Sequence, residues 1–477
     1  MSELHQSNEQ TTRIMSAPRQ MFGRRMIFTS ADSITADNVG EIVEQAYLTH
    51  LINRDDINYL WEYYKGKQPA LYRVRELRNE LTSHVIENRS NEIVSFKVGF
   101  LAGKPITYVS SVSDEEVSKA VSRLNDAMRI IGKHTRDKEL IEWQMIGGVG
   151  YRYVVQEKSL GRKIPFNLFT LDPRYTFVIR KNDYSQKVMA AVNYVVDDQQ
   201  NVIFTVYTED FVFRFTKGRT PIAERNLFGA IPIIEYPANN ARLGCFEIVL
   251  SMLDAINDFD CARTEAVQQF VQSLMVLYNC QVDEGTTADT IRAAGMILLK
   301  TVGDAKADIK ILTEQLDQSQ NQTLKDDLYN SVLQIVGMPS QSAAGTSDSS
   351  NNGAIVLKNG WQGAETRAQE FEAMFKMPEM EMLHVVSIIC NVLNKGEYSF
   401  EPDTLDVKFT RRNYEDILSK SQTLITMLAN DKVHPQKAYE ACGLFPDVEE
   451  AYQMGMEWFA EHGDAQQPKQ SQVVVDG

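Results

Sequence analysis

Two glycine clusters are the first places to look for phosphate chemistry. Gly99-Phe-Leu-Ala-Gly103-Lys104-Pro105 carries the glycines and lysine of a phosphate-binding loop. Its spacing is one residue short, and Pro105 stands where a Ser or Thr hydroxyl would bind magnesium. It reads as a helix end followed by a turn. Gly147-Gly148-Val149-Gly150 precedes strands rather than opening a helix after one, so it lacks the setting of a dinucleotide site. It reads as a hinge into a β region. The seven histidines, at 5, 50, 84, 134, 384, 434 and 462, show no HxxxH or HExxH spacing. No nucleophile-elbow or Cys-His signature occurs. Acidic pairs such as Asp326-Asp327 and Glu115-Glu116 read as solvated helix faces. These residues indicate no catalytic group, metal ligand or cofactor.

Composition narrows the class. The chain has 477 residues, 43% of them hydrophobic and 24% charged, with a formal charge of −15. That length suggests about two to four domains with a sizeable core. An acidic balance repels polyanions, so a tight phosphate-gripping nucleic-acid binder is disfavoured. The five cysteines are odd in number and form no CxxC pair, which suits reduced thiols inside a cell. No apolar run approaches the roughly 18–20 residues that span a bilayer, and the N-terminus lacks a signal-peptide core. A cytoplasmic protein without membrane contact is expected.

The fold class expected is α+β, mostly helical, with an antiparallel β region. Polar tails are expected at 1–25 and 464–477. Helical spacing covers 37–64, 82–101, 114–131 and 133–147, with Asp114 as an N-cap. Short β-branched and aromatic runs separated by turns fill 150–236 and read as antiparallel strands. Residues 245–278 contain no Gly or Pro and read as one helix roughly 50 Å long. Its apolar residues cover more than one side, so copies of the same chain are its natural neighbours. Residues 279–317 read as a small α/β insert, with a turn at 283–285, a helix at 287–294 and a strand MILLKTV. Helix 318–336 follows. Helical spacing then runs from 354 to 394, interrupted only by Pro378, where a kink is expected. A strand at 405–411 and a helical hairpin, 413–430 and 434–462, complete the chain.

Between the helices 318–336 and 354–394 lies GMPSQSAAGTSDSSNNGAIVLKNGW, with little to bury. Residues 338–353 contain no Lys or Arg. Read alone, this is an outer surface loop.

Several segments resemble one family. WEYYKGKQPALYR (61–73) and NRSNEIVSFKVGFLAGKPITYVSS (88–111) are similar to the N-terminal signature of siphovirus-type portal proteins of tailed bacteriophages. Phe100 stands where that signature usually has tyrosine. The stretch from Asn240 through Asp254-Ala-Ile-Asn-Asp-Phe-Asp260 resembles the family's first stem helix. VKFTRRNYED (407–416) and the acids around Asp447-Val-Glu-Glu450 resemble its C-terminal part. The order of these motifs covers about residues 40–460.

The resemblance implies a ring of about twelve subunits at one capsid vertex, built of wing, stem, clip and crown. It places the wing at 26–243, the first stem helix at 244–278, the clip at 279–317 and the second stem helix at 318–336. A channel loop follows at 337–353, then a long helix at 354–395 kinked at Pro378. A segment at 396–412 returns to the wing, and the crown is 413–463. It implies that double-stranded DNA passes through the axis without sequence specificity. Ser340, Gln341, Ser342, Thr346, Ser347, Ser349, Ser350, Asn351 and Asn352 would face it, touching phosphates without strong grip. Twelve chains would carry roughly −180, a wall that favours sliding. Lys300, Lys306, Lys310 and Lys325 are candidates for basic rings in channel or clip, and equally for ordinary salt bridges. Asp283, Glu284, Asp304 and Asp308 are candidates for docking the terminase large subunit or the head-completion (adaptor) protein. Major capsid and scaffolding proteins are the further partners implied. The place implied is the virion, with assembly in the host cytoplasm, and no catalysis or cofactor. Two other readings stay open on the residues alone. One is an enzyme with an acidic site around Asp172, Asp197 and Asp198; the other is a helical scaffold that forms no ring.

Overall fold

The computed structural model describes residues 23–74, 82–112, 114–157, 164–271, 274–278, 280–281, 300–301, 308–312, 318–339, 360–393, 398–411, 417–430, 432–445 and 448–462. The chain divides into two compact units. The smaller comprises 1–19, 65–89 and 249–332; the larger comprises 20–64, 90–248 and 333–477.

The larger unit is built on strands β1 (Phe28–Thr29), β2 (Thr107–Ser110), β3 (Val149–Gln156), β4 (Phe166–Leu171), β5 (Thr176–Lys181), β6 (Val188–Val196), β7 (Val202–Tyr207), β8 (Phe211–Thr216), β9 (Ile222–Arg225) and β10 (Ile233–Pro237). Six form one sheet in the order β1-β5-β6-β7-β8-β9, and three form another in the order β10-β3-β4. All these pairings are antiparallel except β1 with β5. Alternation sets which residues go inside. Phe177, Ile179, Ala190, Val192, Tyr194, Phe204, Val206, Phe213 and Phe215 are buried in one core. Against them lie Val39, Val43, Ala46 and Tyr47 of helix α1 (Val39–Tyr64), at helical spacing. The opposite-face residues Val178 and Ala191 join Ile57, Val149, Tyr151 and Ile233 in a second core. Strands β5 and β6 are therefore buried on both faces.

Three more helices belong to the first part of the chain: α2 (Arg89–Leu101), α3 (Glu115–Ile130) and α4 (Lys133–Gly147). Asp114 caps α3 as expected, its carboxylate accepting from the Glu116 N–H at 2.9 Å. Gly148 ends α4 at φ +79°, and a Cβ there would sit 2.1 Å from the Arg242 carbonyl oxygen. The glycine cluster is thus a close backbone crossing. Strand β2 pairs antiparallel with Leu405–Lys408 across nearly 300 residues of sequence.

Among its described residues the smaller unit contains helix α5 (Leu250–Val271), four short strands and most of helix α6 (Gln318–Val336). The strands are β11 (Leu274–Tyr278), β12 (Cys280–Gln281), β13 (Lys300–Thr301) and β14 (Asp308–Leu312), paired antiparallel as β11-β14 and β12-β13. After it come α7 (Trp361–Leu393), β15 (Leu405–Lys408), α8 (Ile417–Leu428), α9 (Pro435–Cys442) and α10 (Val448–His462).

Several boundaries correct the sequence reading. The single helix expected over 245–278 begins at Leu250, after a 3-10 turn at Glu247–Val249, and ends at Val271. LMVLY, read as its last turn, is the strand β11. An unbroken apolar run fits either state, and the partner that decides it lies about 30 residues on. The helix expected over 82–101 starts only at Arg89. Before it, the Ser83 and Glu87 N–H groups donate to the side chains of Glu265 and Asn257, so the backbone is held away from helical bonding. The helix expected over 434–462 is two helices, broken after Cys442 at Gly443. The expected turn at 283–285, the helix at 287–294 and all of MILLKTV but Lys300 and Thr301 lie outside the described residues.

Candidate functional site

The candidate channel loop is bracketed by two described ends in the larger unit. Helix α6 closes with Gly337 at φ +67°, where the Met338 N–H donates to Leu333 O at 2.8 Å and the Gly337 N–H to Gln334 O at 3.2 Å. These are the two bonds of a Schellman end, and only glycine takes that backbone without strain. On the far side, a Cβ added to Gly360 would lie 3.6 Å from Pro339 Cα and 3.9 Å from Met338 O. The chain therefore leaves at Pro339 and returns at Gly360 to the same place. Trp361 follows at once, 6.0 Å from the Phe96 ring and 6.1 Å from the Phe100 ring. Arg411 pairs with Glu365 and Glu372 of α7 and lies 5.9 Å from the Phe100 ring. The Lys97 ammonium donates to the Gly337 carbonyl at 3.4 Å. Burial, with Arg367 nearby, pulls Lys97 below the usual lysine range.

Helix α7 runs on through Pro378, and its next residue is an anchor the sequence reading missed. Glu379 is fully buried inside the unit. Its carboxylate meets Lys133 at 2.8 Å and Arg152 at 3.7 Å, and accepts from the hydroxyls of Tyr108 at 2.7 Å and Tyr236 at 2.8 Å. Asp137 completes a square of charges, 2.7 Å from Lys133 and 2.5 Å from Arg152. Burial alone would raise the Glu379 carboxyl, but Lys133 and Arg152 outweigh it and bring it down to about 2. Burial and the neighbouring Glu379 push the Tyr108 and Tyr236 phenols well up, so both stay donors. The cluster ties α7 to α4, β2, β3 and β10. One signal was available: Arg152 stands in YRYVV, an otherwise apolar strand, and a charge in such a run demands a buried partner.

In the smaller unit the motifs that carried the resemblance bond to one another. Gln68 from the first donates to Asn88 of the second at 3.0 Å, and Asn257 of the third donates to Gln68 at 2.5 Å. Arg73 faces Asp258 and Glu265, each at 3.7 Å. Lys325 is paired with Glu87 at 2.6 Å and Asp260 at 2.8 Å. Burial, together with the nearby Glu87, holds Asp260 above its ordinary value. Glu87 itself is held below its own, where Lys325 and Arg89 outweigh burial. Replacing Lys325 by Met leaves Asp260 facing Glu87 without the cation they share, and only Glu87 keeps another, Arg89. The smaller unit is expected to lose about 1–2 kcal/mol, read as a shift in denaturant midpoint, and Lys325→Arg to restore most of it.

The other candidates fall as follows. Ser340 to Asn352, Lys306, Asp283, Glu284 and Asp304 lie outside the described residues. Lys300 is on β13, while Lys310 and Asp308 are on β14, Asp308 opposite Tyr278. Asp172 is paired with Arg174 at 2.6 Å. Asp197 caps its own hairpin turn, and hydrogen bonds from Asn201 hold it below the usual range. Asp198, beside it, is exposed. Among the described residues no group of three His, Cys, Asp or Glu is arranged to hold a metal, and no helix is long and apolar enough to cross a membrane.

Comparison with known proteins decides the family. The sequence profile described as "Phage portal protein, SPP1 Gp6-like" matches residues 48–468. The chain belongs to the phage portal protein family. That family is structural rather than enzymatic. No curated protein sequence matches the chain. Among solved structures it is similar to a chain from "Neck of empty GTA particle computed with C6 symmetry". The two are 12% identical, with a TM-score of 0.43 and coverage of 75% of this chain and 90% of that one. It is also similar to a chain from "Virion of native gene transfer agent (GTA) particle", again 12% identical with a TM-score of 0.43, covering 82% and 94%. In this portal-family chain, the loop base and the Glu379 cluster both act on α7. One fixes where the helix begins, the other where it is held.

Proposed function

We propose that this portal protein assembles as a closed ring of about twelve copies at one capsid vertex and forms the channel for DNA packaging and ejection. The family match across 48–468 carries this reading. The loop base supports it: chain ends that meet at one point suit a loop projecting from a fixed frame. In the proposal the loop 337–353 surrounds the DNA. Its Ser, Thr, Gln and Asn residues touch phosphates through hydrogen bonds, and the lack of Lys and Arg at 338–353 leaves the duplex free to slide. In the proposal 26–243 is the wing, 244–278 and 318–336 are the stem, 279–317 is the clip that docks terminase and the head-completion protein, and 413–463 is the crown. The working place is the virion.

Negative-stain microscopy of the purified chain, alone and with its scaffolding protein, tests the ring. An annulus with an axial hole is expected; particles that stay monomeric with scaffolding protein present would sink the proposal. The loop has its own test. Removing residues 342–350 should cut packaged DNA per head by at least tenfold while rings form as before, because that segment lies beyond both described loop ends. Normal packaging with the loop shortened would remove its channel role.

A further inference from the structure

A second site lies in the larger unit, away from the loop base. The arm at Gly23–Ile27 crosses the turn at Asn239–Gly244, with the Arg24 N–H donating to Arg242 O at 3.1 Å. A cavity of about 10 Å³ opens between them, room for one water-sized occupant. Four arginines line it, Arg24, Arg25, Arg180 and Arg242, against a single carboxylate, Glu235. One oxygen of Glu235 serves both Arg180, at 2.6 Å, and Arg242, at 2.9 Å. Arg24 is paired behind the wall with Glu247 at 2.7 Å, and its side chain is 2% exposed. Glu381 lies near Arg180 and offsets part of the remaining charge.

The donors are not used up. Arg24 Nε and Nη1, Arg180 Nε and Arg242 Nε are buried and have no acceptor among the described residues. A buried guanidinium N–H without an acceptor has given up its water and gained nothing in exchange. Arg242 is also held at φ +54°, a backbone that a residue other than glycine rarely takes. Such strain beside guanidinium N–H donors without acceptors points to a ligand that rewards it.

We infer that this cavity is a binding site for a small inorganic anion of halide size, held by Arg24 and Arg242. The charge of the wall sets the sign, and the small cavity suits a monatomic ion. The anion fastens the N-terminal arm to the Asn239–Gly244 turn.

The test uses the full chain at fixed ionic strength, with sodium bromide replacing sodium gluconate, whose anion is too large to enter. A saturable rise in Tm of about 2–4 °C is expected. In Arg242→Gln, which leaves the Arg180–Glu235 pair in place, less than half of that rise should remain. Crystals soaked in bromide should show an anomalous peak in the cavity beside Arg24 and Arg242, and this decides the matter if the variant does not fold. The inference fails if the variant responds as the parent does, if the cavity holds only water in bromide, or if phosphate produces the same saturable rise.

Discussion

Glu379→Gln will lower the stability of the larger unit by about 3–5 kcal/mol. The substitution keeps the shape and removes the charge. Lys133 and Arg152, 2% and 0% exposed, then share only Asp137. The cost lies in that uncompensated burial, since an intact buried ion pair contributes little net stability. Exposed pairs behave differently. Lys376 and Asp406 meet at 3.0 Å but are 39% and 55% exposed, so Lys376→Gln should cost under about 1 kcal/mol. Acid titration adds a signature. Folding depresses the Glu379 carboxyl from 4.5 to about 2. Its contribution is therefore complete above pH 4.5 and is lost as pH falls through about 2. The gap between parent and variant, measured by denaturant unfolding, should be flat from pH 7 to about 5 and close between 4.5 and 2. A gap under about 1 kcal/mol at pH 7 would show that the cluster anchors nothing.

What the sequence revealed follows from the range of the forces involved. The strands of 150–236 were legible because alternation is local and both cores use it: Phe177 and Ile179 on one face, Val178 on the other. Asp114 was legible because a cap acts within three residues. Residues 274–278 were not, because β11 is made by pairing with a distant segment. Residues 82–88 have helical apolar spacing, yet Asn257 and Glu265 take two of their N–H groups, which no local window shows. The site follows the same rule. The loop was visible as composition and Pro378 as a lone helix breaker. Nothing local marks Glu379 beside it, because its four partners come from 108, 133, 152 and 236.

Gly148→Ala and Gly40→Ala will move stability in opposite directions, although each adds one methyl group. At Gly40, on α1, nothing lies within 4 Å of the new Cβ. Relief of glycine's backbone entropy should stabilise the protein by about 0.5–1 kcal/mol. At Gly148 the new Cβ would sit 2.1 Å from Arg242 O, 2.5 Å from Arg242 C and 2.9 Å from Leu243 C, all main-chain atoms without rotamers to yield. The backbone there is at φ +79°, which costs an L residue about 1–2 kcal/mol by itself. Overpacking adds about 1–3 kcal/mol, for a total of about 2–5. Two hydrogen bonds oppose relaxation, Gly148 N–H to Gln144 O at 3.0 Å and Ala238 N–H to Gly148 O at 2.9 Å. The strain must pass to the 239–244 turn and so to Arg242, which loosens the arm at Arg24. Gly148→Ala should therefore also speed amide exchange at Arg24, whose N–H donates to Arg242 O. If Gly148→Ala unfolds with its parent and leaves Arg24 exchange unchanged, Gly148 is a hinge with room to spare and the crossing is not tight.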